Sequence, residues 1–199
     1  MKAAVFVRYH SGDGAGHVGW AFEAGAGCSM AGSVENHSGH MFTPAKKMGY
    51  WQARCENPRD PMRVRRYDDA KVVEVPSGNA LAAYRTMLWI EREAYRVIHR
   101  NCEDDVYDVL RAYGVKRLPA PLMHWFPKSW FHVMNGRQSA VEDLQWTASF
   151  DMPDQLPADL QSAQPWCPPW RRPWHVHFHV LKLQKIVDAV RRVAGGAGG

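Results

Sequence analysis

The 199-residue sequence contains no apolar run long enough to cross a membrane, few cysteines, and no cysteine pair at metal-binding spacing. A membrane-spanning helix needs about 20 consecutive apolar residues, so we expect no transmembrane segment. Because no Cys-x-x-Cys motif occurs, we expect no zinc ribbon, and four cysteines in 199 residues are too few for a disulfide scaffold. The four cysteines, of which at least some are predicted to be free thiols in a reducing compartment, are Cys28, Cys55, Cys102 and Cys167.

The N-terminal segment, MKAAVFVRYH, also lacks the features of a secretory signal. Its apolar stretch is short, and no small-residue cleavage site follows it. The sequence therefore predicts a cytoplasmic protein, or one that is exported without a signal peptide of the usual kind. It gives no indication of the oligomeric state.

The net charge of +5 is concentrated near the C-terminus. Residues 1–169 carry 19 basic and 19 acidic side chains, whereas residues 170–199 carry six basic side chains and one acidic one. A basic tail can contact nucleic acid or an anionic surface, although a solvated helix face is the simpler interpretation. Because no nucleic-acid recognition motif is present, we expect no specific nucleic-acid partner.

The composition, with 46% apolar and 23% charged residues, is typical of a globular domain. Period-two patterns and turn residues predict strands and one hairpin in the first part of the chain. These predicted strands cover residues 3–8, 17–23, 28–35 and 71–75, and the second and third form the hairpin. Residues 36–66, rich in Gly, Pro, Arg and aromatics, predict a long irregular excursion with one short helix.

Two helices are predicted next, one from about Ser77 to about residue 93 and one over residues 103–113 that ends at Gly114. The second helix has one apolar face, formed by Val106, Val109, Leu110 and Tyr113. Residues 118–174 are rich in Pro and Trp, and they predict an ordered covering of the core rather than long regular elements. A final helix is predicted to end near residue 193.

Asn101 and Cys102 stand at the start of the second predicted helix and form the sharpest chemical signal in the chain. Backbone N–H groups and the positive end of the helix dipole favour the thiolate, which is the nucleophilic form of cysteine. Three acidic residues follow at positions 103–105 and oppose the thiolate, so a positive partner such as a histidine is needed. The alternative is a buried cysteine that acts as a small apolar residue.

His17 is the candidate partner, because it begins the alternating segment HVGWAFE. Gly19 and Ala21 share its face, and such small residues let a helix approach closely. A histidine on this face can meet a cysteine at a helix start, although a purely structural histidine is the alternative.

A third polar group is needed to hold the tautomer of the imidazole. Glu35 is the first candidate, since it lies opposite His17 if residues 24–28 form a five-residue loop without a bulge. With a four-residue loop Val34 takes that position, and Glu35 points away. His37 and His40 are the reserve candidates.

The segments GHVGWAF, GSVEN and YRVIHRNCEDDVYDVLRAYGV together resemble the circularly permuted branch of the NlpC-type papain-like thiol hydrolases, which includes relatives of lecithin:retinol acyltransferase. In that branch the histidine strand comes first, a polar residue follows on the next strand, and an Asn-Cys pair begins a helix late in the core. The resemblance covers residues 1 to about 118. It implies an α+β fold in which a small antiparallel sheet packs against the cysteine helix. Residues 119–199 lie outside the resemblance, and their composition predicts a Trp/Pro-rich wrap and a basic final helix within the same domain.

The resemblance further implies Cys102 as nucleophile, His17 as base and Glu35 as orienting group. The activity implied is hydrolysis or acyl transfer at an amide, isopeptide or ester bond through a thioester, with no metal or organic cofactor. In the acyltransferase relatives the third residue is usually a second histidine, so the carboxylate here leaves the substrate open. A peptide, a peptidoglycan peptide and a lipid ester are all compatible with it.

Two other interpretations come from the C-terminal part of the chain. His175, His177 and His179 alternate and have Cys167 nearby in sequence, which suggests a metal site. Adjacent same-face imidazoles on one strand are about 7 Å apart, however, which is wide for one ion. The segment WCPPWRRPW suggests a non-enzymatic interaction module for a peptide, a glycan or a membrane surface, although aromatic cover for the core is the simpler interpretation.

Overall fold

The computed structural model describes residues 1–11, 14–25, 27–37, 42–96, 100–124, 126–146 and 156–171. Its strands are β1 (Lys2–Arg8), β2 (His17–Gly25), β3 (Cys28–Glu35), β4 (Phe42–Thr43), β5 (Gly49–Cys55), β6 (Asp69–Glu74), β7 (Tyr95–Arg96) and β8 (Arg137–Ala140). Its α-helices are α1 (Arg59–Val64), α2 (Ala80–Glu91), α3 (Cys102–Tyr113), α4 (Pro127–Val133) and α5 (Ala158–Gln161). Within these residues a six-stranded antiparallel sheet runs in the order β5-β3-β2-β1-β6-β8, and β4 pairs with β7. The fold is α+β.

The predicted hairpin is present as β2 and β3, and its pairing is incomplete at one end. The β2–β3 ladder runs from the Trp20–Gly32 pair to the Gly25–Cys28 pair, with a bulge between Glu23 and Gly25. On its other side β2 pairs with β1 from its first residue onward. The first three residues of β2 therefore have no ladder pairs with β3 in the described structure. Side chains can hydrogen-bond to their backbone groups there instead.

Each face of the sheet buries its own apolar cluster. Helices α2, α3 and α4 cover one face, where Val18, Trp20 and Phe22 of β2 share a cluster with the helix residues Val106, Leu110 and Trp130. The opposite face is covered by α1 and by the chain that follows β8, and it includes Phe6, Ala21, Met62, Tyr67, Leu144 and Trp146. Alternation along β2 thus directs successive side chains into two different environments.

Helix α3 begins and ends where local signals predict. The side chain of Asn101 accepts the N–H groups of Glu103 and Asp104 in a capping box, which satisfies backbone donors at the helix start. Gly114 ends the helix in the left-handed conformation, at a φ of 108° that favours glycine. Cys102 is consequently the first residue of α3, held at a well-defined helix N-terminus.

Two predictions about the elements are wrong. Helix α2 is capped by Asn79, whose side chain accepts the N–H of Ala82, and not by Ser77, because the backbone N–H of Asn79 is fixed on the carbonyl of Tyr113. The region 36–66 contains the expected short helix, α1, but also the edge strand β5. Most side chains of β5 are half-buried, so no alternation of apolar and polar residues marks it.

The described chain after residue 118 joins the same sheet. Strand β8 pairs with β6, and the Nζ of Lys71 on β6 donates to the carbonyls of His132 and Met134 at 2.8 Å and 2.9 Å. In the described residues no helix has the length and hydropathy needed to span a bilayer. The final helix, predicted to end near residue 193, lies outside the described residues.

Gly32 is a position where the sheet tolerates no side chain. A Cβ atom there would lie 2.8 Å from Cζ2 of the buried Trp20 and 2.8 Å from the carbonyl oxygen of Trp51. We expect Gly32→Ala to lower the free energy of unfolding by about 1–3 kcal/mol, measured by urea denaturation. Gly49→Ala is the matched control, because its new Cβ meets mainly the exposed ring of His37, which can rotate away. Equal losses in the two variants would contradict this explanation.

Candidate active site

The thiol of Cys102 lies at the start of α3 and against the first residues of β2. The side chain is 3% exposed. Burial raises the pKa of Cys102 to about 12; the N–H of Val18, which the Sγ atom faces, lowers the pKa, and the charges of Glu103 and Asp105 raise it. The thiolate expected at this helix start is therefore overturned: the cost of burying a charge exceeds the effect of the backbone N–H groups, and the thiol is protonated at neutral pH.

His17, the first residue of β2, is held by Ser33 on β3. Its Nε2 atom lies 2.8 Å from the Oγ of Ser33, and that hydroxyl donates to the carbonyl oxygen of Val18 at 2.9 Å. A serine hydroxyl has one proton to donate, so with that proton on the carbonyl oxygen of Val18, Ser33 accepts the Nε2–H of His17. The tautomer with its proton on Nε2 leaves the Nδ1 lone pair of His17 available as a base.

The charge state of His17 is set by burial and by neighbouring cations. Burial lowers the pKa of His17 to about 3, and the positive charges of Arg8 and His37 contribute to the same direction. The imidazole is therefore neutral at physiological pH. Because burial also keeps the Cys102 thiol protonated, His17 and Cys102 form no ion pair.

Glu35, the predicted orienting group, does not contact His17. Extending the Trp20–Gly32 register does carry Glu35 opposite His17, but the Nε2 hydrogen bond goes to Ser33. The Glu35 carboxylate instead lies 3.8 Å from Arg8, 3.9 Å from Arg65 and 3.5 Å from His37. The physical reason is diagonal reach, since a side chain two positions along the partner strand can be closer than the one directly opposite.

Sequence reasoning missed Ser33, although alternation along β3 puts it on the same face as Glu35. Of the two reserve candidates, His37 contacts Glu35, and its side chain is 68% exposed. The other reserve, His40, lies outside the described residues.

Cys102 and His17 approach β2 from different faces. Helix α3 packs on the face of Val18 and Trp20, whereas Met62 and Tyr67 cover the face of His17 and Gly19. The expectation that the small residues beside His17 admit the cysteine helix is therefore wrong, because α1 and Tyr67 take that place. In the described part of the chain no hydrogen bond joins the Cys102 thiol to the His17 ring.

The Cys102 thiol and the His17 ring nevertheless both lie near the start of β2 and near Tyr67. The thiol faces the N–H of Val18, which is the residue directly after His17. The ring of Tyr67 lies 5.8 Å from that of His17, and burial, followed by the charges of Glu35 and Cys102, raises the pKa of Tyr67. Tyr67 is thus within electrostatic range of Cys102 while in ring contact with His17.

Tyr95, the first residue of β7, adds a hydroxyl at the head of α3. Burial raises the pKa of Tyr95, as do the charges of Cys102, Asp105 and Asp104, while the backbone N–H of Cys102 lowers it. The Tyr95 hydroxyl therefore faces the N–H that would stabilise an oxyanion formed at Cys102. In the sequence Tyr95 is marked only as the start of a short strand.

The structure gives less support to the metal site and the interaction module suggested by the C-terminal part of the chain. Among the described residues no group of three or more His, Cys, Asp or Glu side chains could hold a metal ion, and the candidates His175, His177 and His179 lie outside them. The Nε1 of Trp170 donates to Asp108 at 2.9 Å, and its ring lies 6.4 Å from that of Trp166. At Trp170 this supports the interpretation of the Trp/Pro-rich stretch as cover for α3.

The Cys102 thiol and the His17 imidazole thus lie on opposite faces of β2 near its first two residues, and the Ser33 hydroxyl is hydrogen-bonded to the imidazole. The thiol comes from the start of a capped helix, the imidazole from the start of a central strand, and the hydroxyl from the neighbouring strand. These are the types of group that can serve as a nucleophile, a base and a group that orients the base. No protein-family model, no curated protein and no solved structure matches this chain.

Proposed function

We propose that the chain is a cysteine hydrolase, or an acyltransferase, that acts on an amide, isopeptide or ester bond through a thioester on Cys102. The observation that carries the proposal is the His17–Ser33 hydrogen bond. It keeps the proton on Nε2 and leaves Nδ1 free as a base, next to the residue whose N–H the thiol faces. Packing of the cysteine helix on an antiparallel sheet supports the circularly permuted papain-like arrangement, which is part of the same proposal.

The chemistry follows from the neutral pair. As the Cys102 sulfur attacks the substrate carbonyl carbon, its proton passes to Nδ1 of His17, and the carbonyl oxygen becomes an oxyanion. In this proposal the N–H of Cys102, which faces the Tyr95 hydroxyl in the resting form, and that hydroxyl both donate to this oxygen. The tetrahedral intermediate collapses to a thioester, and the proton on His17 leaves with the amine or alcohol.

The second half of the reaction repeats the proton transfer in reverse order. Water, or another acceptor hydroxyl or amine, gives its proton to Nδ1 of His17 as it attacks the thioester carbonyl. Collapse then releases the acid or the transferred acyl product, and the proton returns to the Cys102 sulfur. Ser33 stays hydrogen-bonded to Nε2 throughout, and it stabilises the transient imidazolium by accepting the Nε2–H.

Catalysis by this route requires a local movement. The Sγ atom of Cys102 faces the N–H of Val18, and the His17 ring lies on the opposite face of β2, so the start of β2 has to shift before Sγ can approach Nδ1 of His17. Because the thiol is buried, the substrate reaches it only when neighbouring groups also shift. The described arrangement is therefore the resting form in this proposal.

Trapping of the acyl-enzyme tests the proposal without knowledge of the natural substrate. The protein is mixed with p-nitrophenyl acetate, quenched in acid and digested, and the acetylated peptide is identified by mass spectrometry. We expect one acetyl group on Cys102 in the native protein and in Cys167→Ala, and none in Cys102→Ala. Acetylation that persists in Cys102→Ala, or that falls on Cys55 or Cys167 of the native protein, would show that Cys102 is not the nucleophile.

A further inference from the structure

The side chains of Arg8, Arg65 and His37 surround the carboxylate of Glu35, but none of their nitrogens lies at the usual distance of a hydrogen-bonded ion pair. We call Arg8, Glu35, His37 and Arg65 the Glu35 cluster. The contacts to the carboxylate are 3.8 Å from Arg8, 3.9 Å from Arg65 and 3.5 Å from His37. A hydrogen-bonded ion pair has N···O distances of about 2.7–2.9 Å, so these contacts are about one ångström too long. The cluster therefore brings opposite charges close together, but its side chains do not form the hydrogen-bonded ion pairs that their donors and acceptors allow.

Two buried atoms in the cluster lack a hydrogen-bond partner within the described structure. One is Nε of Arg8, a donor, and the other is Oε1 of Glu35, an acceptor. The remaining Arg8 nitrogens donate to the carbonyl of Arg65 and to the Oγ of Ser11. Native proteins satisfy nearly all buried polar atoms, so Nε of Arg8 indicates a place for an acceptor, and Oε1 of Glu35 a place for a donor, that the protein itself does not supply.

The net charge of the cluster and the exposure of its side chains indicate which chemical group it would bind. Two guanidinium groups face one carboxylate, which leaves one positive charge in excess even when His37 is neutral. Glu35 forms a buried floor with a side chain 9% exposed, while the side chains of Arg65 and His37 are 40% and 68% exposed at the rim. A ligand can therefore enter from solvent, and a carboxylate, like a phosphate, matches the bidentate hydrogen bonding of a guanidinium fork.

The cluster adjoins the proposed catalytic base. The guanidinium of Arg8 lies over the ring of Tyr67, 5.8 Å from its centroid, and the same ring lies 5.8 Å from that of His17. The charges of Arg8 and His37 also act directly on His17. A carboxylate bound in the cluster would thus sit on the His17 side of the reacting bond.

We propose that Arg8 and Arg65 bind a carboxylate group of the substrate, so that the enzyme acts on acyl compounds carrying an acidic group near the scissile bond. This inference rests on the proposed function. The bound carboxylate would also make His17 more basic. A negative charge beside Arg8 offsets the positive field that opposes protonation of His17, so an occupied site makes His17 a better proton acceptor.

Titration with a matched pair of small probes tests the site. Sodium acetate and neutral acetamide are added to the ¹⁵N-labelled protein at constant ionic strength, and the backbone amide shifts are followed by NMR. We expect acetate, and not acetamide, to give saturating shifts around Arg8 and Arg65. Arg65→Gln should weaken acetate binding about tenfold, since it removes one charged hydrogen-bonding group. Arg63→Gln is the control: Arg63 is an exposed arginine of α1 that lies 4.0 Å from Glu142, and its loss should change nothing.

Shifts that are equal for the two probes, or that are unchanged in Arg65→Gln, would overturn the carboxylate site. The NMR spectrum of each variant shows directly whether it is folded. The proposed hydrolase stands or falls separately, through acetylation of Cys102. Cys102 acetylation without acetate binding would remove only the carboxylate site, whereas acetate binding without Cys102 acetylation would leave an anion-binding site and end the hydrolase proposal.

Discussion

Replacing His17 with glutamine lowers the rate of Cys102 acylation by p-nitrophenyl acetate by about 10²–10⁴-fold, the usual contribution of a general base. The reason is the pKa of Cys102, which burial raises to about 12, so almost no thiolate exists at neutral pH without a base. Glutamine can still donate to Ser33, so the change removes the base and keeps a hydrogen bond on β3. The rate is measured as the p-nitrophenol burst in a stopped-flow experiment.

The pH dependence of the same burst separates a base from a structural residue. In His17→Gln the acylation rate should rise about tenfold per pH unit between pH 6 and 9, because it follows the thiolate fraction. In the native protein it should be nearly constant over that range, since His17 is already unprotonated there, with a pKa of about 3. Similar rates and parallel profiles in the two proteins would make His17 a structural histidine.

Acid weakens the folded protein through the same histidine, by about 2 kcal/mol between pH 6.5 and 4.5. The pKa of His17 is 6.5 in the unfolded chain and about 3 in the folded protein, where burial and the charges of Arg8 and His37 oppose protonation. Between those two values the unfolded state binds a proton that the folded state does not. The free energy of unfolding therefore falls by about 1.4 kcal/mol for each pH unit below 6.5.

Urea denaturation of the native protein and of His17→Gln, at a series of pH values from 7.5 to 4.5, isolates this contribution. Carboxylates titrate in both proteins, so their effect cancels in the difference. We expect the stability of His17→Gln to fall less steeply with acid, by about 1.4 kcal/mol per pH unit. Parallel stability curves would mean that His17 is protonated in the folded protein.

The parts of the fold that could be predicted are those with strong local signals. The hairpin of β2 and β3 follows from alternation and from a glycine-containing turn, and α3 follows from an asparagine cap, an apolar face and Gly114. Strand β5 could not be predicted in the same way. It lies at the sheet edge with half-buried side chains, so its identity depends on pairing with β3 rather than on its own pattern.

The candidate site shows a similar division. The order of His17 and Cys102 along the chain, and the signs of the backbone and carboxylate effects on the thiol, are readable from sequence. The choice of Ser33 over Glu35 depends on a diagonal contact that residue counting cannot resolve. The protonated thiol depends on tertiary burial, and the covering of the His17 face by Tyr67 depends on where α1 packs.

The enclosure of the Cys102 sulfur has a consequence for its durability. Peroxides oxidise the thiolate far faster than the thiol, and they need access to the sulfur. A protonated sulfur that is 3% exposed meets neither condition, so conversion to sulfenic acid is slow. We therefore expect the Cys102 thiol to stay reduced under oxidative stress, without a reductase to restore it.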